Sequence, residues 1–295
     1  MGSRESVADA WAYQRFRALE VLSRALPLGI GRRLSPLAGR ASAWWRRDLH
    51  AIVVENQARI LGCSVTDGRA KRSATEAFAR YARYWAETFR LPALPPAELV
   101  RRTEARGLER LDEALRGGRG CILVGAHFGN YDAGVASLAA RGYEVVAVVE
   151  DLRPPRLERL FARHRARLGI RSLPRRRGTG LRTEICRVLA GNGIVGLLAD
   201  RSLSGSGIEV EMFGAKRRVP AGPASLALAT GAEIVVAHAL SHGRGWRTEM
   251  TTRLRPSRES DDVRSLTQRV ATALERTIEL RPADWHLFER GWKSA

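Results

Sequence analysis

The stretch Cys121-Ile122-Leu123-Val124-Gly125-Ala126-His127-Phe128-Gly129-Asn130-Tyr131-Asp132 decides the fold class. Its first four residues are a short apolar run of buried-strand type, and 133–140 beyond it read as a small-residue helix. A strand passing through a tight turn into a helix is the unit from which open α/β sheets are built. Ligands of such sheets collect outside the carboxyl ends of the strands. The turn here places a histidine and a carboxylate five positions apart. A histidine there can take a proton from a hydroxyl as that oxygen attacks a carbonyl carbon, and a fixed carboxylate can hold the ring in one tautomer. Asn130 or Asp132 can equally cap the following helix, with His127 a hydrogen-bonded loop residue, and the motif alone supports both readings.

Outward from this turn, the pattern alternates from residue 95 onward. The sequence predicts a strand over 145–150, a basic helix over 155–168, a helix over 179–190 and a central strand over 193–198. An extended segment at 208–212 precedes a helix over 222–229 with Pro223 in its first turn. Residues 234–240 and 246–254 read as a hairpin across His242-Gly243-Arg244-Gly245, followed by a helix over about 262–280. Strands alternating with helices imply a mixed sheet covered on both faces. Ser204-Gly205-Ser206-Gly207 reads as a loop and not a phosphate cradle, since it lacks the lysine of a P-loop. Residues 5–61 are mostly helical by pattern, with Trp11, Phe16, Leu19, Leu22 and Leu26 at helical spacing and interruptions at Pro27 and at 29–31. Trp44-Trp45-Arg46-Arg47 sets two indoles beside two guanidinium groups, a combination suited to a lipid headgroup interface. An amphipathic helix of a soluble protein, however, usually packs on its own core. The expected division is an N-terminal helical region, 1–94, and an α/β core, 95–295, together forming one compact whole.

A chain of 295 residues that is 44% hydrophobic can bury a large core. Cys63, Cys121 and Cys186 are odd in number and lack paired metal-ligand spacing, which supports neither a disulfide framework nor a zinc ribbon and suits a reducing compartment. No secretory leader pattern is present and no run reaches the ~20 apolar residues of a membrane span, so a soluble or peripheral protein is expected. The net charge of +19 comes from 50 basic and 31 acidic side chains, and only Lys71, Lys216 and Lys293 among the basic ones are not arginine. Such a chain is attracted to polyanions: nucleic acid, an anionic bilayer or the phosphates of coenzyme A. Near an anionic leaflet each well-placed basic residue is worth about 1 kcal/mol. Neither a nucleic-acid motif nor an aromatic-interleaved basic run is present, so no nucleic-acid partner is expected. No His-Glu-x-x-His pattern points to a metal, and His50, His164, His238, His242 and His286 are read as structural.

His127-Phe128-Gly129-Asn130-Tyr131-Asp132 resembles the His-x4-Asp/Glu signature of the bacterial lipid acyltransferases that include the late lipid A acyltransferases. Within that superfamily, Tyr81-Ala82-Arg83-Tyr84-Trp85-Ala86-Glu87-Thr88-Phe89-Arg90-Leu91-Pro92 resembles the upstream helix of the actinobacterial phosphatidylinositol mannoside acyltransferases, and so does Pro282-Ala283-Asp284-Trp285-His286-Leu287-Phe288. Between them Asp200-Arg201-Ser202-Leu203, Gly207-Ile208-Glu209-Val210-Glu211-Met212-Phe213-Gly214, Gly222-Pro223 and Thr230-Gly231-Ala232 follow the family order, so the likeness spans nearly the whole chain.

The resemblance implies a glycerolipid-acyltransferase-like α/β fold, a central mixed sheet flanked by helices, with an N-terminal helical extension. It implies acyl-CoA-dependent transfer of a long fatty acyl chain to a sugar hydroxyl of an anionic membrane glycolipid, here a mannose of phosphatidylinositol mannoside. His127 would be the general base, acyl-CoA a co-substrate, and no cofactor is expected. Cys121, in an apolar run, is expected to be inert, so no acyl-enzyme is needed. Two acids are candidates to orient His127: Asp132 by the motif, and Asp200 because it follows the 193–198 strand as His127 follows 121–124. In the family a downstream acid, often glutamate, partners the histidine; Asp200 read without the family is a turn residue or an ion-pair partner of Arg201. Phe128, Gly129, Asn130 and Tyr131 are expected at the substrate, with Phe128 and Tyr131 flanking an acyl groove. Arg165, in 161–169, is expected to bind phosphate or the thioester oxyanion unless it coats a solvated face with Arg163 and Arg167, and Arg201 stands at a strand end. A lipid substrate implies that region 1–94 docks on the membrane, at its cytoplasmic face. The alternatives are a lipid A-type (lauroyl or myristoyl) acyltransferase of the same superfamily, and a basic nucleic-acid-binding protein with steeply salt-dependent binding.

Overall fold

The computed structural model describes residues 7–176, 180–202, 207–257 and 259–292. The chain opens with helices α1 (Val7–Ala25), α2 (Leu28–Trp45), α3 (Arg47–Ile60), α4 (Gly68–Arg90) and α5 (Pro96–Arg102). Next come β1 (Thr103–Arg106), α6 (Leu108–Arg116), β2 (Cys121–Gly125), α7 (Tyr131–Ala140), β3 (Val145–Val149), α8 (Pro155–Ala166), β4 (Arg171–Pro174), α9 (Leu181–Ala190) and β5 (Ile194–Leu198). The last part holds β6 (Ile208–Met212), β7 (Ala215–Val219), α10 (Gly222–Thr230), β8 (Glu233–His242), β9 (Gly245–Leu254) and α11 (Val263–Glu279).

Seven strands form one sheet in the order β1-β9-β8-β2-β5-β3-β4, in which β8 and β9 are antiparallel and every other neighbouring pair is parallel. The fold is therefore the α/β mixed sheet expected. Strand β2 lies in the middle. Ile122 and Val124 point into a core shared with α9, α10 and α11, while Cys121 and Leu123 meet Leu111 and Ala114 of α6 and Leu138 of α7. Burial on both faces is the reason the run is continuously apolar and does not alternate. Strands β2 and β5 pair in register, Gly125 opposite Leu198, so both end at the same edge. Strand order reverses there, with β3 beyond β5 and β8 on the other side of β2, the position at which open α/β sheets bind their ligands.

Three strands were not foreseen. β1 and β4 are four-residue edge strands, too short and too polar to show a period. β7 pairs with β6 as a separate two-stranded ribbon whose Phe213-Gly214 turn has positive φ at both residues, 52° and 65°, the conformation that matches strand twist in a two-residue hairpin. The loop expected at 204–207 lies, apart from Gly207, outside the described residues, as does Thr179.

The N-terminal helices break at Pro27 as expected, but α2 runs on through Gly29, Gly31 and Pro36. Its contact with α4 explains one glycine. A Cβ at Gly39 would lie 2.4 Å from the Phe78 carbonyl oxygen, so only glycine lets the two backbones approach. Ala70, Ala74 and Ala77 present a small-residue face of α4 to Ala43 and to Val53 and Val54 of α3. On α1, Phe16 turns inward, 5.0 Å from the Trp85 ring and 5.4 Å from Phe161, whereas Trp11, Leu19 and Leu22 point outward. Ile30, Leu34, Leu37, Trp44 and Trp45 of α2 are exposed too, at spacings that keep them on one stripe. Among the described residues, the other large apolar side chains left exposed are Val21 on α1, Val65 and Leu280. No described helix is long and apolar enough to cross a membrane.

Candidate active site

Beyond Gly125 the chain makes a tight turn, with the Phe128 N–H donating to the Ala126 carbonyl at 2.7 Å. Gly129 follows at φ +62°, where a Cβ would sit 2.1 Å from the Ala239 carbonyl oxygen. Glycine is required because the turn lies directly on β8, to which the Asn130 N–H then donates at Ala239 O, 2.7 Å. The Asn130 side chain caps α7 by accepting from the Ala133 N–H at 3.0 Å. Residues 284–286 close the other side. The His286 N–H donates to His127 O at 2.7 Å, the Gly129 N–H to Asp284 O at 2.9 Å, and the His286 ring Nε2–H to Gly129 O at 2.8 Å. Burial pushes the His286 imidazole down to about 4, so this ring stays neutral.

The adjacency of β2 and β5 brings His127 to Asp200. His127 Nδ1 lies 2.8 Å from Asp200 Oδ1, and the aspartate is fully buried. Its other oxygen, Oδ2, accepts the Trp285 indole N–H at 2.8 Å, and its main-chain carbonyl accepts from Arg217 Nη2 at 2.7 Å. Burial pushes the Asp200 carboxyl up, but His127, the indole N–H and the Arg217 guanidinium outweigh it and hold the group well below the usual carboxylate range. An ionised carboxylate can only accept, so His127 donates from Nδ1 and its Nε2 carries the lone pair. That nitrogen has no hydrogen-bond partner among the described residues, and the side chain is 16% exposed. An imidazole held in one tautomer by a carboxylate is chemically able to take a proton at its other nitrogen.

The other candidates fall into two groups. Asp132 accepts at Oδ2 from the Tyr84 hydroxyl, 2.7 Å, with the Tyr131 hydroxyl 2.6 Å from the same oxygen of Tyr84. Its carboxylate is thus engaged by tyrosine, and the one that meets the His127 ring is that of Asp200. Tyr131 stands edge-on to His127 with ring centroids 5.8 Å apart. Arg201 donates to Glu150 at 2.9 Å, and its Nε is buried without a hydrogen-bond partner among the described residues. His127, Asp200, Tyr131 and Arg201 are gathered at the ends of β2, β5 and β3. Phe128 and Asn130 are buried in the turn itself, Phe128 against His238 and Asn130 donating to Glu87 at 2.9 Å, so they shape the site from behind. Arg165, half-buried on α8, lies 5.8 Å from the Phe161 ring. Burial pushes the Cys121 thiol up to about 12, which leaves no thiolate at neutral pH.

The family model of the bacterial lipid A biosynthesis acyltransferases matches residues 7–294. The chain belongs to that family. It is 38% identical over 215 residues to the phosphatidylinositol mannoside acyltransferase of Mycobacterium tuberculosis, an alignment covering 72% of this chain and 67% of that protein. To the phosphatidylinositol mannoside acyltransferase of Mycolicibacterium smegmatis it is 36% identical over 241 residues, 80% of this chain and 77% of the relative. The chain is an acyltransferase, and the nucleic-acid-binding alternative is set aside.

Sequence reasoning missed several residues that build this candidate site. Trp285 and His286 lie in the 282–288 segment, quoted above only for its likeness to relatives; nothing local says that an indole there reaches position 200. Arg217 looks like surface in Lys216-Arg217-Arg218, yet it is buried, with its guanidinium 4.9 Å from the Trp285 ring centre. Glu87 of α4, also buried, accepts from Arg83 at 2.8 Å, from Arg32 of α2, from Asn130, and from the Trp246 indole at 2.7 Å. Burial pushes its carboxyl up, and the two guanidinium groups with Asn130 reverse this and leave it lowered.

Proposed function

We propose that this acyltransferase moves a long fatty acyl chain from an acyl-CoA thioester to a sugar hydroxyl of an anionic membrane glycolipid, a mannose of a phosphatidylinositol mannoside. The observation that carries the reading is His127, tied through Nδ1 to the buried Asp200 carboxylate at 2.8 Å with Nε2 left open. Nε2 takes the hydroxyl proton as the sugar oxygen attacks the thioester carbonyl. The tetrahedral intermediate collapses with expulsion of the coenzyme A thiolate, which receives that proton from His127 and leaves as the thiol. Sugar ester and free coenzyme A are the products, with no acyl-enzyme between them. Arg201, just beyond β5, is suited to a phosphate of donor or acceptor. The names of the two mycobacterial relatives support the acceptor. The exposed apolar stripes of α1 and α2, on a chain of net charge +19, support docking on the cytoplasmic face of an anionic membrane, where acyl-CoA is available.

The test is coenzyme A release with a panel of acyl-CoA donors and purified mannolipid acceptors, with product analysis to identify the hydroxyl. His127→Ala is expected to lower the rate by roughly 10²–10⁴-fold. Near-normal transfer by that variant would refute the base assignment. Preferential turnover of a glucosamine disaccharide lipid assayed in parallel would replace the acceptor with one of lipid A type.

A further inference from the structure

We infer that Trp285 is a positioning residue of the reaction: its indole N–H fixes the Asp200 carboxylate, so that the working unit is three hydrogen-bonded side chains and not a pair. The inference rests on His127 acting as the base. With Oδ1 given to His127, the second oxygen of a fully buried carboxylate meets Trp285, which belongs to a core that includes Met212, Phe213 and Leu287. Left alone, that charged acceptor would be unsatisfied at high cost, and the carboxylate would be free to rotate about its Cβ–Cγ bond. The Trp285 Nε1–H ends both problems at 2.8 Å. An indole donates only and does not titrate in the working range, so it stabilises the anion without competing for the proton that His127 must manage.

Arg217 is the obvious stronger donor, and the structure keeps it off the carboxylate. Its Nη2 bonds the main-chain carbonyl of Asp200, its Nε and Nη1 are buried without hydrogen-bond partners among the described residues, and the guanidinium lies over the face of Trp285. A forked arginine–carboxylate pair would drain the charge that His127 needs, whereas an indole dipole holds orientation and leaves the charge in place. Trp285 is itself located by the turn it serves. Phe128 and Trp285 form an antiparallel bridge, and the next residue donates its backbone N–H to His127 O at 2.7 Å. One short segment therefore registers the main chain of the base and the side chain of the acid against each other.

Trp285→Phe keeps the ring and removes the N–H. Trp292→Phe makes the same change on a neighbouring indole, 6.1 Å away between ring centres, whose nitrogen is buried without a hydrogen-bond partner among the described residues. Trp285→Phe is expected to lower kcat about 10- to 100-fold while KM for donor and acceptor stays within about twofold, a loss typical of one hydrogen bond to a charged group. The low-pH limb of its kcat profile should move to higher pH, because a carboxylate relieved of its donor grips the imidazolium proton harder. Trp292→Phe should leave both unchanged. In the unsubstituted protein, the Trp285 indole ¹H–¹⁵N resonance should move as pH is lowered through the low-pH limb of its own kcat profile, a readout that survives if the variant does not fold. A rate within twofold and an unmoved pH limb in Trp285→Phe, equal losses in the two variants, or an indole resonance flat with pH would each overturn the inference. His127→Ala separates the two readings: if it stays active the base assignment falls, while an inactive His127→Ala beside a parent-like Trp285→Phe removes only the role of Trp285.

Discussion

His127 had two acids within reach of argument, and geometry divides their work. Asp200 meets Nδ1 at 2.8 Å, whereas Asp132 accepts from Tyr84 at 2.7 Å. Asp200→Asn retains size and an acceptor for the indole but removes the charge that fixes the imidazole tautomer. It is expected to lower kcat at least 10²-fold, as loss of a tautomer-fixing carboxylate does in hydrolytic triads. Asp132→Asn is expected to cost less than about tenfold, since general-base action does not pass through it. Steady-state coenzyme A release on both variants checks this, and the reverse order would return Asp132 to the base. The candidacy of both acids was readable from residues, because each follows or lies close behind an apolar strand run. The choice between them was not: five positions along a turn entering a helix say nothing about which way a carboxylate faces.

Glu87 shows the same limit among elements. It joins α4 to α2 through Arg32, to the cap of α7 through Asn130, and to β9 through Trp246. Glu87→Ala would leave buried donors from three elements unpaired, and breaking a buried ionic cluster in this way costs about 3–5 kcal/mol. Urea unfolding followed by circular dichroism should show that loss, while Arg101→Ala, at the exposed pair with Glu98, should leave the midpoint unmoved. A midpoint for Glu87→Ala equal to the parent would mean that packing alone holds these helices. Buried strands and well-punctuated helices were legible: β2, β5, α7, α10 and the β8–β9 hairpin fall where hydrophobic runs, Pro223 and the Gly243-Arg244 turn put them. The edge strands β1 and β4 were not, because half of an edge strand answers to solvent and its sequence carries no period.

At the scale of the whole molecule, a net charge of +19 coexists with apolar side chains turned outward on the first two helices. Each Leu fully withdrawn from water contributes about 1.5–3 kcal/mol, and each basic residue near an anionic surface about 1 kcal/mol. Flotation with phosphatidylglycerol-containing vesicles should therefore recover the protein, with less bound to purely zwitterionic vesicles and less again as salt rises. Replacing Leu34, Leu37, Trp44 and Trp45 by serine should reduce binding more than tenfold without altering the unfolding midpoint, since these side chains support no core. Unchanged flotation of that variant would assign membrane contact elsewhere.

The sequence by itself determined the α/β class, the strand that leads into His127, the helical start of the chain and the excess of positive charge. These follow from steric preference and hydrophobic period, which act over a few residues and need no partner. Tertiary structure alone decided that position 127 meets position 200, that the outward face of α1 carries Trp11 while Phe16 turns in, and that Trp285 reaches the Asp200 carboxylate while Arg217 holds its main-chain carbonyl. Those outcomes depend on strand order and on how the whole core is filled, and burial energy summed over the molecule is not written in any local stretch.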